Sequence, residues 1–138
     1  MKETRKLIES AFAALPGAYA PYSGFKVAAA LLCADGSIYT GINIENAAYT
    51  PTNCAERTAF FKAISEGKRE FSAIAVCGGV KGRVEEYTFP CGVCRQVMRE
   101  FCDPKSFMIY IAKSKEEYRA YTLEELLPEG FGPENLRA

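Results

Sequence analysis

Apolar residues at Leu7, Ile8, Ala11, Phe12 and Leu15 recur at helical spacing, which predicts a helix with one buried face over residues 4–15. Pro16-Gly17 ends it, and Ala20-Pro21-Tyr22-Ser23-Gly24 reads as a loop. Residues 25–33 are a dense apolar run of strand length. Asp35-Gly36 is a hairpin signal, so a second strand over residues 37–45 should pair antiparallel with the first. At its end, Ile42-Asn43-Ile44-Glu45 alternates with period two. This predicts Ile42 and Ile44 facing the core, and Asn43 and Glu45 together on the other side. Such a polar pair suits an ordinary solvated sheet face or the orientation of a hydroxylated ligand.

After a loop over residues 46–52, Asn53 is expected to cap a helix with Glu56 completing an Asn-x-x-Glu capping box. Ala59, Phe60, Ala63 and Ile64 carry that helix on, and Gly67 ends it. Residues 71–77 predict a central buried strand, closed by Gly78-Gly79. Residues 81–87 are polar surface, and Pro90 introduces a helix that Asp103-Pro104 breaks. Residues 107–112 predict another strand, residues 118–121 a short last one. Thr122-x-x-Glu125 is a further capping box, opening a helix that Pro128 ends. The order helix, hairpin, helix, strand, helix, strand, short strand, helix predicts an α/β layered domain with one antiparallel edge and otherwise parallel crossovers.

No repeat, low-complexity tract or linker interrupts residues 1–138, which therefore read as a single domain. Composition sharpens this. Of the residues, 49% are apolar, enough for a globular core without disulfide staples. Seventeen basic and seventeen acidic residues balance, with no basic run, which argues against a nucleic-acid surface but not against a nucleotide-sized ligand. No apolar run reaches membrane-spanning length. The N-terminus, Met1-Lys2-Glu3-Thr4-Arg5, does not read as a signal peptide, so a reducing, cytoplasmic location is expected. There the six cysteines are metal ligands or core residues rather than disulfides.

The chemistry lies in two stretches, Thr52-Asn53-Cys54-Ala55-Glu56-Arg57 and Pro90-Cys91-Gly92-Val93-Cys94. Together they offer three thiolates and one carboxylate at two expected helix starts, where unpaired amides and the dipole favour anions. Cys91 and Cys94, three apart, share a face and can grip one ion. Three soft ligands with an open fourth position suit zinc. The chain has no histidine, which removes the usual nitrogen ligand and any histidine-based nucleophilic catalysis. Glu56 suits proton transfer better than ligation. Zinc with three thiolates carries net negative charge, which acidifies its water less than neutral imidazoles do. Arg57, three residues beyond Cys54, is therefore expected to donate to a ligand sulfur and tune that charge; Arg95 is a weaker candidate. Taken singly, Glu56 reads as a cap residue and Cys54 as a buried thiol, while a lone Cys-x-x-Cys also fits redox pairs. Cys-x-Glu followed by Pro-Cys-x-x-Cys is the zinc-deaminase pattern, with cysteine in the first ligand place. Cys33, Cys77 and Cys102 fall outside it and read as core.

With the runs 43–49 (Asn-Ile-Glu-Asn-Ala-Ala-Tyr), 53–59 (Asn-Cys-Ala-Glu-Arg-Thr-Ala) and 90–96 (Pro-Cys-Gly-Val-Cys-Arg-Gln), the chain resembles the short cytidine deaminases that act on free nucleosides as homotetramers. The resemblance extends from Pro21-Tyr22-Ser23 to Phe131. It implies a three-layer α/β/α cytidine deaminase-like fold around a mixed, mostly parallel five-stranded sheet. It implies one zinc ion per subunit on Cys54, Cys91 and Cys94, and water attack at C4 of cytidine or 2′-deoxycytidine with Glu56 as proton shuttle, in pyrimidine salvage. Asn43 and Glu45 would hold the ribose 3′-hydroxyl, Phe25 would pack on the base, and the Ala55 amide would bond its edge. Asn46, Ala47 and Ala48 carry over as substrate contacts, and Tyr49 and Phe131 as groups completing a neighbouring subunit's pocket. Ala28, where the family leads one to expect glycine, and Gly24 depart from the pattern. Competing readings are a deaminase for another aminopyrimidine such as a nucleoside antibiotic, a polynucleotide deaminase, a structural zinc module and a thiol redox protein.

Overall fold

The computed structural model describes residues 2–137. Strand β1 (Phe25–Cys33) turns through Gly36, at φ 92°, into β2 (Ile38–Ile42), and the two pair antiparallel. From β2 the chain crosses through helix α2 (Ala55–Ser65) to β3 (Phe71–Val80), on the far side of β1. A second crossover, through α3 (Gly92–Phe101), leads to β4 (Met108–Ala112), parallel to β3. Strand β5 (Tyr118–Thr122) and a short α4 (Leu123–Leu126) follow, giving the sheet order β2-β1-β3-β4-β5. Both crossovers step the same way across the sheet. Right-handed connections then put α2 and α3 on the same face.

The other face is covered by α1 (Lys2–Ala14). Period-two alternation divides the core between the faces. Ala73, Ala75 and Cys77 of β3, with Ala28 and Ala30 of β1, meet Leu7, Ile8, Ala11 and Leu15. Ile74, Val76, Ala29 and Leu31 meet Ala59, Phe60, Cys94 and Met98. The alanine-rich face is flat enough for one helix to lie close. Ala28 is fully buried there beside α1, so its methyl group is part of the packing. Cys33, Cys77 and Cys102 are buried, as expected of core residues.

The three layers and the mixed five-stranded sheet agree with the sequence reading, but the sheet is not mostly parallel. Only β3 and β4 run parallel; β1/β2, β1/β3 and β4/β5 are antiparallel. Two causes account for this. The β2–α2–β3 crossover steps over β1, so β3 inherits the direction of β2 and opposes β1. The few residues between β4 and β5 close a hairpin and cannot form a crossover.

Other local expectations also shift. Strand β3 continues through Gly78-Gly79 to Val80, because β1 pairs with it as far as Phe25↔Val80. Ile44, expected inward, is 43% exposed. Strand β2 ends at Ile42, and Ile44 instead bridges Tyr19 and Asn53 through its backbone. That bridge holds Asn53 extended, so Cys54 rather than Asn53 is the N-cap of α2. The capping box at Thr122 and Glu125 is present as read.

Helix α2 lies flush on β2 at Gly41. A methyl group there would meet the Ala55 carbonyl and stand 2.5 Å from the Ala59 nitrogen, both backbone atoms. Gly41→Ala is expected to destabilise the protein by about 1–3 kcal/mol, as overpacking does, read by equilibrium denaturant unfolding. An unchanged midpoint would contradict the close approach.

Candidate active site

Strands β2 and β3 point the same way, so the helices that follow them start at one sheet edge. Cys54 is the N-cap of α2 and Cys91 the N-cap of α3, with Cys94 in the first turn. Cys54 Sγ lies 3.7 Å from Cys91 Sγ, which lies 3.5 Å from Cys94 Sγ. Among the described residues these form the one cluster of three potential metal ligands, all ligand atoms within 4.8 Å of one another. Sulfurs held 2.3 Å from a tetrahedral zinc ion stand about 3.8 Å apart. The donor set therefore fits zinc in both chemistry and spacing. All three are free thiols.

Arg57 Nη2 donates to Cys54 Sγ at 3.3 Å. Hydrogen bonding with Cys94, then Arg57 and Cys91, outweighs burial and brings the Cys54 thiol down to about 5. Cys94, left sharing its proton with Cys54 in a buried place, is raised. Arg95 turns away from the sulfurs. It donates to the Pro90 carbonyl at 2.8 Å and the Leu126 carbonyl at 2.6 Å, tying the ligand loop to the end of α4.

Because the cap sits at Cys54, Glu56 is the second residue of α2 and takes no part in a capping box. Its side chain is only 4% exposed, and burial pushes its carboxyl up to about 7. It borders a cavity of about 170 Å³ together with Cys54, Ala55, Cys91 and Asn43. Ala55, as the first residue of α2, has an amide with no partner four residues back. Thr52, Asn53, Val27, Thr88 and Phe89 also line this cavity. Nothing in the spacing of Val27, Thr88 and Phe89 marks them; they arrive from β1 and the segment before α3, while Thr52 and Asn53 belong to the stretch that leads into α2.

Asn43 and Glu45, read as a pair on one strand face, lie beyond the end of β2 and reach different partners. Asn43 Oδ1 accepts from Val27 N at 2.9 Å, and its Nδ2 donates to Phe25 O at 2.8 Å. It thus extends the sheet edge while bordering the cavity. Glu45 accepts from Tyr22 N, Ser23 N and Ser23 Oγ. It lines an adjoining cavity of about 280 Å³ with Tyr22, Ser23, Asn46, Tyr49 and Thr52. Thr52 borders both spaces. Asn46, Ala47 and Ala48 form an exposed turn, fixed by Ala48 N donating to Asn46 Oδ1. Phe25 starts β1 and is 36% exposed.

Tyr49, with φ 65°, is 74% exposed and meets Tyr22 edge-on. Phe131 is 57% exposed on the C-terminal tail, where Gln96 Nε2 donates to its carbonyl at 2.8 Å. Phe131 borders neither cavity of its own chain.

Residues 1–110 match the family described as the cytidine and deoxycytidylate deaminase zinc-binding region. A cytidine deaminase of Sporosarcina psychrophila is 50% identical over 97% of this chain and 95% of its own length. One from Halalkalibacterium halodurans is 49% identical over 97% and 98%. The crystal structure of cytidine deaminase from Burkholderia pseudomallei superposes with a TM-score of 0.83 at 46% identity, over 91% of this chain and 97% of that one. The Mycobacterium tuberculosis enzyme follows with a TM-score of 0.79 at 38% identity, over 93% and 96%. With ligand spacing, fold and sequence in agreement over most of its length, the chain belongs to the cytidine and deoxycytidylate deaminase family.

Proposed function

We propose that this protein is a zinc-dependent hydrolase that converts cytidine and 2′-deoxycytidine to uridine and 2′-deoxyuridine with release of ammonia. The observation that carries the reading is the buried Glu56 carboxyl on the same cavity wall as two of three clustered thiols. A scaffold site needs the sulfurs but has no use for a desolvated carboxyl beside an open space. Cys54, Cys91 and Cys94 would hold one zinc ion per chain, whose chemistry is to acidify and orient the attacking water. Glu56 takes a proton from that water, passes it to ring N3 and then serves the departing amine. Water thus adds across the C4–N3 double bond, its oxygen to C4 and its proton through Glu56 to N3; the C4–N bond breaks afterwards, as Glu56 carries the remaining hydroxyl proton to the amine and C4 becomes a carbonyl. Arg57 offsets part of the negative charge of three thiolates through its contact with Cys54.

Substrate orientation follows from the remaining hydrogen-bonding capacity. The Ala55 amide is free to bond the base edge, and Phe25 supplies an apolar face. Asn43 keeps one N–H and Glu45 one acceptor site, which match a hydroxyl that accepts from the first and donates to the second. That is the demand of the ribose 3′-hydroxyl. A site that reads the 3′ position is indifferent to the 2′ position, so deoxycytidine is accepted as well. Asn46, Ala47 and Ala48 form the turn that borders the sugar.

The enzyme is proposed to act as a homotetramer in which Tyr49 and Phe131 complete a neighbouring subunit's pocket. The exposure of both aromatics in the single chain supports this. Its place is nucleoside salvage in the cytoplasm, a reducing setting that suits six free thiols. Among the described residues no helix is long and apolar enough to cross a membrane.

Two measurements follow. Glu56→Ala is expected to keep its zinc and fold while cytidine turnover falls by about a hundredfold or more, read by ultraviolet absorbance and metal analysis. Unchanged turnover would remove Glu56 from the chemistry. Phe131→Ala is expected to lose activity alone and to regain part of it when co-expressed with Glu56→Ala, whose subunits supply the missing ring. Mixed assemblies with no more activity than the sum of the two variants would contradict a shared site.

A further inference from the structure

The Glu45 carboxylate is held by the loop that precedes β1. Its Oε1 accepts from Tyr22 N at 2.9 Å and Ser23 N at 3.0 Å, and its Oε2 accepts from Ser23 Oγ. Ser23 Oγ in turn accepts from Phe25 N at 3.0 Å. The direction of this relay is forced. An amide N–H only donates and an ionised carboxylate only accepts, so the Ser23 hydroxyl proton must lie towards Glu45. One hydroxyl therefore joins the carboxylate to the first residue of β1.

Gly24 makes this loop possible. Its φ of 71° turns the chain so that the Phe25 amide points back at Ser23, a conformation that side chains rarely allow. Lys81 N donates to the Gly24 carbonyl at 2.6 Å and fastens the turn to the end of β3. The glycine that departs from the family pattern thus has a local physical reason.

Acceptor counting gives the consequence. A carboxylate offers about four lone-pair sites, and three are filled here, both on Oε1 and one on Oε2. The one remaining belongs to Oε2, in the cavity that Glu45 shares with Tyr22, Ser23, Asn46, Tyr49 and Thr52. We propose that Ser23 is a positioning residue for sugar recognition: its hydroxyl fixes Glu45 and Phe25 in one frame, so that a single acceptor site on Oε2 meets a single sugar hydroxyl. The inference rests on the reading of Glu45 as the ligand of the 3′-hydroxyl. Without the Ser23 hydroxyl, Oε2 has two open sites and no protein donor, and the carboxylate is free to turn towards water. The same donors hold the Glu45 carboxyl below its ordinary range, Ser23 first among them.

The test compares kcat/KM for cytidine and 3′-deoxycytidine in the zinc-loaded wild type, Ser23→Ala and Ser23→Thr. Ser23 is exposed in a surface loop, so the substitutions spare the core. The wild type is expected to favour cytidine. Ser23→Ala should shrink that preference about fivefold or more, the worth of one hydrogen bond, by losing more activity on cytidine than on 3′-deoxycytidine. Ser23→Thr should restore the preference. A purely structural role would lower both substrates together and leave the ratio unchanged, which would overturn the role of Ser23. A wild type that does not distinguish the two substrates would instead overturn Glu45 as the sugar ligand, and Ser23 with it.

Discussion

Everything at this site depends on two helix N-termini being brought to one edge of the sheet. Strands β2 and β3 run the same way, and each is followed by a helix that packs on the same face. Their starts therefore face one another at the carboxyl ends of the strands. The N-cap position holds its residue outside the helix while the first-turn amides still point at it. Cysteine at two such caps, with a third one turn in, makes three sulfurs converge without a dedicated loop. The convergence is costly unless its charge is compensated. Arg57, one turn along from Cys54, is the nearest guanidinium to do so, and its contact to the sulfur is direct.

The same geometry explains why Glu56 differs from an ordinary helix-start acid. A carboxylate on the first turn is normally solvated and helps to cap. Here the Ile44–Asn53 bridge moves the cap one residue along, Gly41 lets α2 settle on β2, and the side chain is buried at the cavity wall. Burial then raises its affinity for a proton. One backbone bridge and one missing methyl group thus separate a capping residue from a buried carboxyl that borders a cavity.

Much of this was legible in the chain, and the gaps have physical causes. The element order was readable because each segment carries its own periodicity and stop signals, from Leu7/Ile8/Ala11 to Thr122/Glu125. The thiol cluster was readable because helix starts are marked locally by Pro90 and by the apolar runs that follow. Strand direction was not, since nothing within residues 71–80 records that the chain has stepped over β1. Nor was the burial of Asn43 or the exposure of Ile44, which depend on pairing with Phe25, Val27 and Tyr19 across the fold. Val27, Thr88 and Phe89 escaped notice because a cavity wall is a tertiary property with no sequence period. Tyr49 and Phe131 are aromatic groups that a single chain leaves exposed, and only the family resemblance gave them a purpose.

The most direct test of the account is zinc content and ammonia release from cytidine measured on one purified sample. About one zinc per chain is expected, the stoichiometry of a single three-ligand site, with ammonia release rising in proportion as stripped protein is reloaded. Zinc at that ratio with no ammonia released would contradict the deaminase reading while leaving the metal site. Ammonia released at full rate by metal-free protein would contradict the central role given to the three thiols.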